Sequence, residues 1–388
     1  MIITEIKTHF VRVPYIEPMA ISVATIPTGT STIVQVFTDE GIIGVGETIG
    51  YGDTITAIET QVSPLVIGED PFNIEKILLK YLHSTRVLLA DLEGACYAIG
   101  AVEMAIWDII GKKLGKPIYQ LIGGKFRDNV PITAFMTLKN FDDIVNDAEE
   151  AMKQGFKTIK IKVGRDLYED IDLVATIRER VGPKIELRVD ANGAWSVGTA
   201  IRQIRKLEKY DPQYIEQPIP RFDMNGLAYV RGKSRIPIAV CEGGLTLYRL
   251  AEIIRNKAAD VISTDPLRLG GILQFKKACH MAEACDIPIV THIDRLGISK
   301  AAWLHVCIST PNVMFANDII ASNAPGFKGS VNNLVNVTFE HKGGGMKVLE
   351  QPGLGVMLDE ESLAKYKVED WQKVCMPGKK EVFTSPSY

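Results

Sequence analysis

From residue 157 onward, seven successive short apolar runs each carry a polar or ionisable residue at or near their ends, at nearly constant spacing. The runs are KTIKIKV (157–163), IELRVD (185–190), QYIEQ (213–217), IPIAVCE (236–242), DVISTD (260–265), IPIVTH (287–292) and VMFAN (313–317). Their ends carry Lys160 with Lys162, then Asp190, Glu216, Glu242, Asp265, His292 and Asn317. Intervals from Lys162 onward are 28, 26, 26, 23, 27 and 25 residues. Runs of this length, rich in β-branched residues, read as strands. Stretches of helical period separate them, at 168–181, 197–209, 247–257, 273–285 and 298–308. Strand and helix alternating in this way predict a parallel sheet covered by helices. If the sheet closes into a barrel, all the strand ends meet at one mouth, the face on which barrel enzymes do chemistry. An open doubly wound sheet would spread them along a line, and no GxGxxG fingerprint follows a strand here. The barrel is the expectation.

The flanks read differently. Residues 1–49 alternate as strands, including TIVQVFTD (32–39) and GIIGVGE (41–47), and residues 72–122 are mostly of helical pattern. That predicts a separate α+β domain over 1–127 ahead of a barrel over 128–352. The tail, about 353–388, is expected to pack back on the first domain. A net charge of −3 supplies no bulk field to draw in nucleic acid or an anionic membrane. The opening MIITEIKTHFVRVPY lacks the basic start and apolar core of a signal peptide, and no run approaches about 18 uninterrupted apolar residues. Six cysteines without CxxC spacing read as reduced thiols, so the cytoplasm is the expected compartment.

Asp190, Glu216 and Glu242 end three consecutive strands. Three carboxylates converging in a partly dry site do not all ionise cheaply unless a cation offsets them. All-oxygen ligation suits a hard divalent ion, and magnesium leaves positions open for substrate oxygens. Lys160-Ile161-Lys162 puts two ammonium groups on one face of a strand, and their mutual repulsion is expected to lower one pKa toward that of a usable base. Across the barrel, Asp265 and His292 end neighbouring strands, where a carboxylate can orient an imidazole. Together these parts suit removal of a proton next to a carboxylate, with the cation stabilising the enediolate and two bases handling the proton.

The ordered set Lys160-x-Lys162, Asp190-Ala-Asn192, Glu216-Gln-Pro218, Glu242, Asp265 with Leu269-Gly270-Gly271, and His292 resembles the enolase superfamily. The Asp–His pair and the glutamate third ligand are similar to the mandelate racemase subgroup. GVGET (44–48), 101–131 and QPGLGVMLDEESL (351–363) support the likeness, which runs over essentially the whole chain. The resemblance implies an α+β capping domain over a modified (β/α)7β TIM-like barrel. It implies magnesium on Asp190, Glu216 and Glu242, with Lys162 and His292 as the two general acid/bases and Asp265 orienting His292. Lys160 would contact the substrate carboxylate, Asn192 an α-hydroxyl, and Asn317 would stand where mandelate racemase carries a glutamate. Homo-oligomers are also implied. Arg268 is too basic to serve as a base.

The substrate implied is a small carboxylic acid. Dehydration of a hydroxylated, sugar-type acid is the first expectation; racemisation or epimerisation of a less polar acid and lactone cycloisomerisation compete with it, and a non-catalytic relative is the remaining alternative. The stretch YIEPMAISVATIPTGT (15–30), read as a loop of the cap, is apolar apart from Glu17.

Overall fold

β-branched residues recur through the N-terminus, and there the chain runs as two long antiparallel strands, Ile3–Ala20 and Thr25–Thr38, with Ile43–Ile49 paired to the second. The computed structural model describes residues 1–22, 24–84, 92–243, 246–292 and 295–371. Parts of the predicted helical run 72–122 and of the tail, and Cys375, lie outside those residues.

The stretch 15–30, expected as a loop, extends this hairpin, with Met19 opposite Ile26 and Ala20 opposite Thr25. Partners from the barrel keep it extended. Ile16 N–H donates to Gly329 O at 3.0 Å, Leu138 N–H donates to Ala20 O at 2.9 Å, and the Ser22 hydroxyl donates to Val163 O. Val163 follows Lys162, so the hairpin tip reaches the predicted mouth.

Behind the three strands lies the helix Leu92–Leu114, long and apolar enough to cross a membrane by composition alone. Its most apolar window is 83% buried inside the protein. A helix apolar on all sides belongs in a core, and glycine lets the sheet close on it. A Cβ at Gly46 would lie 1.9 Å from Ala101 O, and one at Gly44 2.0 Å from Ala105 O. The two positions share a strand face, so GVG is a docking surface for the helix backbone.

The barrel strands are Ala134–Met136, Thr158–Lys162, Glu186–Asp190, Tyr214–Glu216, Ile238–Val240, Val261–Thr264 and Ile289–Thr291. They form one parallel sheet in chain order. Segment 312–318 closes it. Asp318 N–H donates to Thr291 O at 3.1 Å on one side; on the other, Asn317 N–H donates to Pro131 O at 2.8 Å and Thr133 N–H to Asn317 O at 2.9 Å. The sheet thus curls into a ring of eight strand positions. Side-chain caps start the helices between strands: Asn140 on Asp142 N, Ser196 on Thr199 N, Asp223 on Gly226 N and Thr246 on Arg249 N. Tail residues bond to the first domain through Leu354 N–H to Asp108 Oδ1 at 2.9 Å and Val368 N–H to Phe10 O at 2.9 Å.

Two predictions follow from the packing of the helix Leu92–Leu114. Gly46→Ala should cost about 1–3 kcal/mol or more, because the backbone carbonyl it meets has no rotamer to adopt. Urea denaturation measures this, and an unchanged midpoint would contradict the packing. Glu103, also on this helix, is 1% exposed and accepts N–H bonds from Ile272, Leu273 and the Trp107 indole. Burial outweighs those bonds and pushes it up to about 7 from 4.5. A carboxyl raised in the fold stabilises fully below its unfolded pKa and loses that contribution as pH rises through its folded one. In Glu103→Gln the titration is gone. The variant's melting temperature relative to the parent should therefore climb between pH 4.5 and 7, and a constant gap across that window would contradict the assignment.

Candidate active site

Side chains on Thr158–Lys162 alternate, so Lys160 and Lys162 share the inward face. Lys160 is 1% exposed and lies among three carboxylates: Asp318 Oδ2 at 2.7 Å, Glu216 Oε1 at 2.8 Å and Asp190 Oδ2 at 3.2 Å. An ammonium has three hydrogens to donate; here it donates to Asp318 and Glu216 and forms an ion pair with Asp190. The structure therefore places Lys160 in the floor of the site, among the acids. Burial works to lower its pKa, but Asp318, Glu216 and Asp190 together hold it well above the ordinary value. The expected mutual lowering of the lysine pair is overridden at Lys160 by this surrounding negative charge.

Lys162 reaches higher. Its Nζ donates to Asp190 Oδ2 at 2.6 Å and to Asn192 Oδ1 at 2.9 Å. Asn192, with φ 46°, turns its amide so that Nδ2 donates to Glu242 Oε1 at 2.9 Å. One network thus joins Asp318, Lys160, Glu216, Asp190, Lys162, Asn192 and Glu242. Burial raises Asp190, but Lys162 and Lys160 bring it far below the ordinary carboxylate range. For Glu216, burial pushes the pKa up to about 7; Lys160 opposes the rise, and Asp190 and Asp318 add to it.

Among the described residues, no three of His, Cys, Asp and Glu close into a cage on their own. Lys160 bridges two of the acids and Asn192 leads to the third. Glu216 Oε2 and Glu242 Oε2 are buried without a hydrogen-bond partner. An unsatisfied buried carboxylate oxygen is costly. Two of them on adjacent strand ends, beside Asp190, fit the all-oxygen donor set of a hard divalent cation.

Asp265 and His292 stand on neighbouring strands as predicted, with His292 Nδ1 3.8 Å from Asp265 Oδ2. That is ion-pair range rather than a hydrogen bond. Asp265 also faces Arg268, whose Nε lies 3.3 Å from Oδ2 and whose backbone N–H donates to Oδ1 at 3.0 Å. Arg268 Nη1 donates to Cys241 O at 3.0 Å, next to Glu242, which makes this arginine a buried brace between two strand ends. Burial, then Arg268, Lys160, Arg295 and Lys162, push His292 well below 6.5, so it rests as a neutral base.

Asn317 is corrected. It is 0% exposed; its Oδ1 accepts from Thr291 N–H at 2.9 Å and its Nδ2 donates to Phe315 O at 3.1 Å. It therefore helps to close the ring from the outer side of the strand, while Asp318, one residue on, points inward to Lys160. The sequence reading missed Asp318 by that single step. It also missed Phe135, whose ring centroid lies 5.5 Å from Lys160 Nζ and 5.1 Å from Lys162 Nζ. Phe327 packs on Phe135 at 6.2 Å, and Tyr15 of the hairpin packs edge-on to Phe327 at 5.1 Å. An aromatic wall thus climbs from the lysines to the cap.

Residues 3–123 match the mandelate racemase/muconate lactonizing enzyme N-terminal domain, and residues 143–362 match the enolase C-terminal domain-like family. The chain belongs to the enolase superfamily. Among its relatives, N-succinyl-L-Arg/Lys racemase of Bacillus cereus is 30% identical over 379 residues, covering 95% of this chain and 98% of that protein. The crystal structure of that racemase superposes with a TM-score of 0.85 at 28% identity, again over 95% and 98% of the two chains. Arabinonate dehydratase of Saccharolobus solfataricus is 31% identical over 341 residues, 86% of this chain and 89% of that one. A racemase from Streptomyces coelicolor, solved with bound magnesium, has a TM-score of 0.84 at 28% identity, over 94% and 100%. This enolase-superfamily chain therefore has racemases and dehydratases as relatives over nearly its full length.

Lys160→Met should leave Asp190, Glu216 and Asp318 without their shared counter-charge. Measured by denaturation in EDTA, the loss should be about 3–5 kcal/mol, and magnesium should restore part of it. A loss under about 1 kcal/mol would mean the cluster does not depend on this ammonium.

Proposed function

We propose that this protein is a magnesium-dependent enzyme that moves the proton at the carbon next to a carboxylate, returning it in a racemisation or epimerisation of an acid with an apolar or aromatic neighbouring group. Asp190, Glu216 and Glu242 would hold the ion, which when bound supplies positive charge against the carboxylate of the acid losing its proton. The observation that carries the reading is the ring order. Lys162 stands on one flank of the three-acid arc and His292 on the other, with Asp265 next to His292. Two proton carriers on opposite flanks can take a proton from one face of a carbon and return one to the other.

The residues divide the work by environment. His292, kept neutral by burial and by the cations around it, is ready to accept a proton. Lys162 is the carrier on the other flank, and its bonds to Asp190 and Asn192 fix the direction of its Nζ. Lys160 keeps Asp190 and Glu216 in register beneath. Phe135, Phe327 and Tyr15 offer an apolar face where a polyhydroxylated acid would need polar partners. That supports the less polar substrate class over the first expectation. The likeness to N-succinyl-L-Arg/Lys racemase, an enzyme acting on an acylated amino acid by its name, points the same way.

Dehydration of a hydroxylated acid is the second reading. Asn192 in the site and the likeness to arabinonate dehydratase favour it.

The test is incubation of the magnesium-loaded enzyme in D₂O with a panel of α-substituted acids, apolar and hydroxylated. Deuterium should enter the α-position of an apolar acid without loss of water. Lys162→Ala and His292→Asn should each lower turnover by about 10²–10⁴-fold. Stoichiometric formation of a 2-keto acid from a hydroxylated acid would replace racemisation with dehydration. Full activity in either variant would remove that residue from the proton path.

A further inference from the structure

Two buried carboxylates of the N-terminal domain take no part in the chemistry above, yet each is bonded to the segment that follows one member of the Asp265–His292 pair. Glu47, at the end of strand Ile43–Ile49, accepts N–H bonds from Leu296 at 2.8 Å and Ser299 at 2.9 Å, with the Ser31 hydroxyl also on Oε1 at 2.8 Å. These amides open the helix Gly297–Ile308. From that helix the Trp303 indole donates to the carbonyl of His292 at 2.7 Å, and the Ser299 hydroxyl accepts from Arg295 N–H at 2.9 Å.

Glu103 does the same for the other member. It accepts from Ile272 N–H at 2.7 Å and Leu273 N–H at 2.8 Å, the amides that open the helix Ile272–Glu283. Between this helix and Asp265 lies the single turn Pro266–Leu269, capped by Asp265 itself and tied off by Gly271 N–H to Pro266 O at 2.7 Å. Gly271 has φ 129°, and a Cβ there would lie 2.4 Å from Glu103 Cδ, so the glycine is what admits the carboxylate. Exposure is 0% for Glu47 and 1% for Glu103. Both carboxyl groups are met by backbone N–H groups at helix N-termini.

We propose that Glu47 and Glu103 are positioning residues: the seating of the N-terminal domain fixes, through these two carboxylates, where His292 and Asp265 stand. The Lys162 side is tied to the same domain differently, by the Ser22 hydroxyl on Val163 O. The proposal rests on the reading of Asp265 and His292 as a proton-transfer pair, so it is tested with readouts that need no turnover.

The full chain, with and without magnesium, is labelled with ¹⁵N-histidine, and the His292 ring signals are assigned by their loss in His292→Asn. Glu47→Gln and Glu103→Gln should each shift those signals. Each should also raise amide hydrogen exchange about tenfold or more in its own segment, 296–299 for the first and 267–273 for the second. Asp108→Asn is the control. It removes a buried carboxylate of the same domain, bonded to Val45 N–H at 3.0 Å and Leu354 N–H at 2.9 Å, and should lower stability while leaving the His292 signals in place. Ser31→Ala and Trp107→Phe each remove one side-chain donor and keep the carboxylate; if the glutamine variants do not fold, these should give smaller shifts in the same direction. Unmoved His292 signals in the folded variants, or equal movement in Asp108→Asn, would overturn the proposal. Shifted signals together with an active His292→Asn enzyme would keep the positioning role and reject the proton-transfer pair.

Discussion

The barrel mouth is organised around one buried ammonium. Lys160 is 1% exposed and meets Asp318, Glu216 and Asp190 within 3.2 Å. Taking any one of these charges out of water costs several kcal/mol, returned only if the partners are close and fully bonded. Further charges crowd the same space: Lys162 on Asp190, Glu242 through Asn192, and Arg188 3.9 Å from Asp318. Three cations there face four anions. Burial first, with the surplus negative charge of Asp190 and Asp318 added to it, pushes Glu216 up to about 7 even with a lysine on its other oxygen. A site short of one positive charge, with unpartnered oxygens on Glu216 and Glu242, has the electrostatic shape of a divalent-cation site.

How the cap is held follows from the same demand that buried charge be met. Glu47, Glu103 and Asp108 all lie in the N-terminal domain, and all are satisfied across the boundary by backbone amides of residues 272–354. Glycines allow the approach: Gly271 against Glu103, and Gly353, where a Cβ would lie 2.1 Å from Asp108 Oδ1. A domain attached by buried carboxylates cannot slide without stranding them. The hairpin Ile3–Ala20/Thr25–Thr38 thereby gains a firm base from which to lean over the mouth.

Much of this was legible in the sequence, for an identifiable reason. In a parallel barrel the strand repeat and the site repeat are one pattern, so Lys162, Asp190, Glu216, Glu242, Asp265 and His292 could be ordered around the mouth before any coordinates. Legibility failed where the pattern depends on register or on tertiary partners. Asn317 and Asp318 are adjacent polar residues on a segment without regular strand pairing, and only the bonds of Asn317 to Thr291 and Pro131 decide which of them faces in. The stretch 15–30 has the composition of a strand as much as of a loop; bonds to Gly329 and Leu138, far away in sequence, make it a hairpin. The raised pKa of Lys160 was missed because a lysine pair read alone predicts repulsion, whereas the dominant neighbours arrive from strands 30 to 158 residues away.

Lys162 and His292, the two proposed proton carriers, differ in their surroundings. Lys162 is embedded in acceptors, donating to Asp190 and Asn192. His292 is embedded among cations, and its own carboxylate is shared: Asp265 gives Arg268 both a backbone contact and a 3.3 Å ion pair, and stands 3.8 Å from the imidazole. Burial first, then the nearby cations led by Arg268, keep the imidazole neutral, and a carboxylate already engaged by guanidinium has less charge to oppose them. One flank therefore presents an amine engaged by two acceptors, and the other a neutral imidazole. Arg268, read from the sequence as no base, thus shapes the chemistry by restraining Asp265, and its hold on the Cys241 carbonyl ties that restraint to the strand bearing Glu242. Acid–base polarity and the candidate cation site are thereby set by one connected set of buried charges.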